Sequence, residues 1–102
     1  MKLKDLVQLQ EHIYFLSYSF NSPGNNRDDF CADFEKKYIK LINKFHSAYL
    51  FKTADDIDKI RHDLLNYFND SDVMFIIEIT DLDSIHHIGL DSQECRFIGY
   101  NV

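Results

Sequence analysis

Two hydrophobic periods in succession constrain this chain more than any other feature. Along "HIYFLSYSF", residues 12–20, Tyr14, Leu16, Tyr18 and Phe20 alternate with Ile13, Phe15, Ser17 and Ser19. That period of two is the signature of a strand whose faces are both apolar at the start. The turn residues "NSPGNN" follow, with Pro23 to fix φ and Gly24 to permit a positive one. The period then changes. Phe30, Phe34, Tyr38, Leu41 and Phe45 recur at spacings of four, four, three and four, which predicts an amphipathic helix over 27–45. Early Asp28, Asp29 and Asp33 and late Lys40 and Lys44 suit the helix dipole.

The pattern repeats downstream. "HSAYLFKT" (46–53) reads as a second strand. Thr53, with Asp56 three residues later, resembles a capping box for a helix over 54–68 that buries Ile57, Ile60, Leu64 and the Tyr67/Phe68 pair. "VMFIIEIT" (73–80) is the most apolar strand and is expected at the sheet centre, because continuous apolar runs mark strands covered on both faces. The tail is less regular, with 85–88 and 95–100 as candidate short strands. Residues 1–11 form an N-terminal arm with a short amphipathic pattern (Leu3, Leu6, Val7). The order β-α-β-α-β, plus one or two short C-terminal strands, fits a ferredoxin-like α+β sandwich or a small parallel α/β unit.

A chain of 102 residues, 45% hydrophobic and 15% aromatic, suits one domain with its own core. We read 1–102 as that single domain and 81–102 as a C-terminal extension. The N-terminus lacks the apolar centre of a secretory signal, and no apolar run reaches the roughly 18 residues of a membrane span. A cytoplasmic protein without a membrane partner is expected. Cys31 and Cys95 are too few for a disulfide framework or a cysteine zinc site and are expected as reduced thiols.

Charge is unevenly spread. Residues 1–53 hold eight Lys/Arg against six Asp/Glu, whereas 54–94 hold two against eleven. Nucleic-acid binders carry a basic footprint. Only Lys36, Lys37, Lys40 and Lys44 cluster here, and they read as a solvated helix face. Nucleic acid is therefore not an expected partner. The acidic residues Asp55, Asp56, Asp58, Asp63, Asp81 and Asp83 instead offer a surface for a protein target, and such a surface can imitate a phosphate backbone.

No metal or cofactor motif stands out. His86 and His87 are adjacent and would point apart on a strand, and His46 and His62 lie elsewhere. Ser17 and Ser19 are the weak catalytic candidates, as nucleophiles that His12, His46 or a dimer-related histidine would have to activate. No nucleophile-elbow motif surrounds them. Two helices on one sheet face would leave the other open and apolar, which points to a covering partner, most economically a second copy. Tyr14, Tyr49, Phe51, Phe97, Ile98 and Tyr100 are the interface candidates.

The chain also resembles a known group. "FLSYSFNSPGNNRDDF" followed by "HSAYLFKTADDIDKIRHDLLNYFNDSDVMFIIEIT" is similar to the SinR-like proteins, which belong with the small ferredoxin-fold subunit of the CRISPR adaptation complex and the VapD toxins. Tyr18, Phe20, Pro23, Gly24, Ser47, Tyr49, Lys52, Thr53, Asp70 and Asp72 carry the match across residues 12–80. The resemblance implies a ferredoxin-like fold and a homodimer with facing sheets, in which the C-terminal strand reaches the partner's edge. In nuclease members an Asp ends the first strand and binds a divalent metal. Ser19 stands there in this chain. A neutral hydroxyl is a poor replacement for a carboxylate in a Mg²⁺ site. The expectation is a non-catalytic dimer that acts through protein contacts in CRISPR, toxin or phage defence. The alternatives are a metal-dependent ribonuclease of the VapD kind and an acidic mimic that inhibits a nucleic-acid enzyme.

Overall fold

The computed structural model describes residues 11–21 and 26–99. In chain order these form β1 (His12–Ser19), α1 (Arg27–Lys37), β2 (Leu41–Ile42), β3 (Ala48–Thr53), α2 (Ile57–Leu64), β4 (Val73–Ile79) and α3 (Ser92–Ile98). A 3-10 turn at Leu65–Tyr67 extends α2, and another at Leu82–Ser84 follows β4. The strands form one antiparallel sheet in the order β2-β3-β1-β4. The protein is α+β.

The period-2 pattern of β1 decides the two sides of the sheet. Tyr14 pairs across to Phe51 and Leu16 to Tyr49, so all four side chains share one face. α1 and α2 cover that face with Phe30, Phe34, Ile60 and Leu64, and the result is the main core. Its centre is aromatic. Phe30 lies 5.0 Å from the Tyr18 ring and 5.3 Å from Phe68, both edge-on, and Phe34 stacks on Tyr49 at 4.5 Å. Edge-on and offset geometries suit the ring quadrupole.

α1 is shorter than its apolar period predicts. It ends at Lys37, and the chain turns at Tyr38 into β2. Leu41 and Ile42 pair with Phe51 and Leu50 instead of continuing the helix. Ile42 is thereby buried with Leu50 on the opposite sheet face. A left-handed Ser47 (φ 55) closes the β2-β3 connection, and its carbonyl accepts from Tyr18 N–H.

The start of α2 is also displaced. Asp56, not Thr53, is the N-cap, with its carboxylate accepting from Lys59 N–H at 2.8 Å. The Thr53 hydroxyl accepts locally from Asp55 N–H instead.

Two further expectations are overturned. "VMFIIEIT" is an edge strand, not a central one, since β4 pairs only with β1. The tail has no strand at 85–88, and a helix occupies 92–98, where a strand was expected over 95–100. Asp91 caps α3 in a full capping box with Glu94, and Gly99 closes it in the left-handed region at φ 102. Ile85, Leu90 and Phe97 then pack against Ile42 and Leu50, so the tail covers part of the second sheet face of its own chain. Lys44 anchors it through Glu94 at 2.6 Å.

Candidate functional site

Ser19 ends β1 opposite Val73, and Ser17 sits opposite Phe75 and Ala48. No histidine occupies a partner position. The Ser19 hydroxyl donates to Asn21 Oδ1 at 2.9 Å. Beside it lies a carboxylate that the sequence reading placed at the strand's start without a role: Asp72. Its Oδ1 accepts from Asn21 N–H at 2.7 Å and its Oδ2 from Asn69 N–H at 2.9 Å. The Asn21 amide also donates to the Ser71 carbonyl at 3.0 Å.

Asp72 therefore pins the segment leaving β1 to the segment entering β4. Both of its oxygens are turned to backbone donors, which favours a structural role over metal ligation. Among the described residues no group of three or more His, Cys, Asp or Glu side chains is placed to hold a metal ion.

The interface candidates divide differently from expectation. Tyr14, Tyr49 and Phe51 point to the helix-covered face and are buried in the core, so they are corrected from interface to core. Alternation put them all on one face, but only the pairing register shows that this is the face under α1 and α2. Phe97 packs against its own chain, and Lys52 donates to its carbonyl at 3.2 Å. Ile98 ends α3, and its side chain, like Tyr100, lies outside the described residues. The same holds for Pro23, Gly24 and the Leu3, Leu6 and Val7 pattern.

One continuous row of exposed apolar side chains lies on β4. Val73, Phe75 and Ile77 are 56%, 59% and 44% exposed on the face away from α1 and α2. Further along that face, a groove of about 400 Å³ runs past Phe15, Ile77, Ile79 and Ile85 toward Asp81 and Ser84. A neighbouring pocket of about 330 Å³, which shares Phe15, Ile79 and Ile85, is rimmed by His86 and His87. His87 Nε2 lies 3.4 Å from the Cys95 thiol; both cysteines are free.

The acidic residues are sorted by the sheet. His12 pairs with Thr53 and Ile13 with Ile79, so the ends of β3 and β4 that lead to Asp55, Asp56, Asp81 and Asp83 lie beside the start of β1. Glu78 joins them, 3.6 Å from His12 Nδ1. Asp63 is apart. Lys37 and Lys59 both bond its carboxylate and hold its pKa down to about 2. Asp58 lies in the first turn of α2, where the dipole favours it.

The core tyrosines respond to burial. Loss of solvation, with Glu78 second, pushes Tyr14 up to about 12. Burial also pushes Tyr38 up to about 12, and it raises Tyr49, whose hydroxyl donates to Glu35 at 2.7 Å. These groups are structural phenols, neutral at any physiological pH. Comparison with protein-family models, curated proteins and solved structures finds no match for this chain.

Proposed function

We propose that this protein is a non-catalytic, ferredoxin-like module that acts through protein contacts and forms a homodimer, as the SinR-like and CRISPR-adaptation resemblance suggests. The antiparallel order β2-β3-β1-β4, with two helices on one face, supports the fold assignment. The observation that carries the function is the exposed row Val73, Phe75 and Ile77 on β4, the edge strand among the described residues. Side chains of this kind, side by side, mark an interaction surface. At the β1 end, Ser19 and the doubly bonded Asp72 favour scaffold over chemistry.

Light scattering on the purified chain, together with incubation with RNA and DNA in Mg²⁺ or Mn²⁺, tests the reading. A dimer without cleavage is expected. Cleavage that disappears when Ser19 or Asp72 is replaced would move the protein to the VapD-like ribonuclease alternative. A second reading, nucleic-acid mimicry, rests on the acids gathered at one sheet end around Glu78 and Asp81. It requires binding to a basic nucleic-acid enzyme that weakens steeply with salt.

A further inference from the structure

The two edges of the sheet are unlike. β2 is a two-residue edge, and short edges do not template pairing. β4 is a seven-residue edge with neither Lys nor Pro within it, and its only charge is Glu78. Such an edge presents a row of backbone donors and acceptors, and proteins ordinarily blunt it. Its two ends also differ in shape. Toward its start, Val73 and Phe75 stand out as exposed apolar knobs. Toward its end, Ile77 and Ile79 border the groove closed on its far side by Ile85. Run antiparallel to its own copy, such a strand sets the apolar residues 73, 75, 77 and 79 against the same row of the second chain.

We propose that two copies of this chain pair β4 against β4 about a two-fold axis at Ile76, joining their sheets into one of eight strands. This rests on the dimer reading above but replaces facing sheets with an edge-to-edge junction. The axis places Val73 beside the second copy's residue 79 and Phe75 beside its residue 77, so the two apolar rows meet side by side on one sheet face, twice over. An isologous contact requires this reciprocity. Residues directly opposite share a face, so the apolar row continues across the junction.

Charge selects the register. With the axis at Ile76, Glu78 faces Met74. With the axis at Phe75, Glu78 would face Asp72, and with the axis at Glu78 it would face itself; like charges directly opposite are destabilising. With the axis at Ile77, Val73 would face Asp81 and its apolar partner would be lost. The axis at Ile76 keeps every knob paired, as register follows the hydrophobic pattern.

The flanks oppose this attraction. Asp70 and Asp72 of each copy approach the region of residues 81 and 83 of the other. The contact is small by the standard of stable dimers, which bury about 800 Å² per partner. Micromolar association is expected, tightening about threefold between 50 and 500 mM salt as like charges are screened.

Sedimentation across protein concentration at both salt levels measures the association. Variants that each add one cysteine to Cys31 and Cys95 then read the register under mild oxidation, with the unsubstituted chain as the blank. Phe75→Cys and Ile77→Cys should cross-link when mixed and not when either is oxidised alone. Phe75→Lys, at an exposed position that leaves the core intact, should weaken association about a hundredfold with an unchanged circular dichroism spectrum. A monomer throughout would remove the dimer reading and this geometry together. A dimer that survives Phe75→Lys, or that cross-links through 75 with 75 or 77 with 77, would preserve the dimer reading and overturn this geometry. So would a dimer that gives no cross-link in the mixture.

Discussion

Replacing Phe51 with alanine separates a core ring from an interface ring. Phe51 is fully buried, with Tyr38, Phe34 and Tyr14 ring centroids at 4.9, 5.0 and 5.5 Å. Its neighbours belong to α1, to β1 and to the residue that ends α1, so no single element can relax into the space. Phe-to-Ala changes at such sites cost about 3–5 kcal/mol, from lost transfer energy plus an unfilled cavity. Domains of this length are stable by roughly 5–15 kcal/mol, so the loss is a large share of the total. With about 4–8 °C per kcal/mol, the melting midpoint should fall by roughly 15–30 °C. Urea unfolding followed by circular dichroism, at two protein concentrations tenfold apart, gives the number. The cost should be the same at both concentrations. A loss below about 1.5 kcal/mol, or one that grows on dilution, would refute the placement of Phe51 in the single-chain core and return it to an interface. Phe75→Ala is the control, since a largely exposed ring on an edge strand contributes little to the isolated chain.

Three other outcomes follow from the same contacts. Asp72→Ala leaves Asn21 N–H and Asn69 N–H without their carboxylate, and chemical denaturation should show a loss of about 1–2 kcal/mol. The raised pKa values of Tyr14 and Tyr38 mean that the folded state holds protons the unfolded state releases above pH 10. Their contribution is complete below pH 10 and is lost as pH rises toward 12; absorbance at 295 nm should show these phenols ionising only as the fold is lost. Asp63 has the opposite sign: its lowered pKa gives stability that is present above pH 4 and is lost as pH falls toward 2, so Asp63→Asn should flatten the acid limb of a melting-temperature profile over that window.

Local pattern carried much of the fold. β1, β3 and β4 were legible because their alternation is strong, and the first half of α1 because Phe30 and Phe34 repeat on one stripe. The end of α1 was not legible. Leu41 fits a helical stripe as well as a strand, and only its distant partner Phe51 decides between them. β4 was misplaced for a related reason. An apolar run reads as fully covered, yet here one face meets the core while much of the other is bare. The α3 helix is available in "DSQECRFIG", where Asp91, Glu94 and Gly99 are a start-and-stop set, but the tail's lack of a clear period hides it. At the candidate site, the substitution at Ser19 was visible from sequence. The role of Asp72 was not, because its donors Asn21 and Asn69 lie 51 and 3 residues away.

The inequality of the two sheet edges sets a valence. A sheet with two long adhesive edges can add copies without end and grow into a fibre. Among the described residues this sheet has a single long edge, because β2 is too short to receive a strand. Pairing along β4 consumes that edge in both copies and leaves nothing to propagate. Crowding would therefore enrich a finite species instead of a polymer, and lengthening β2 would turn a terminating unit into a repeating one.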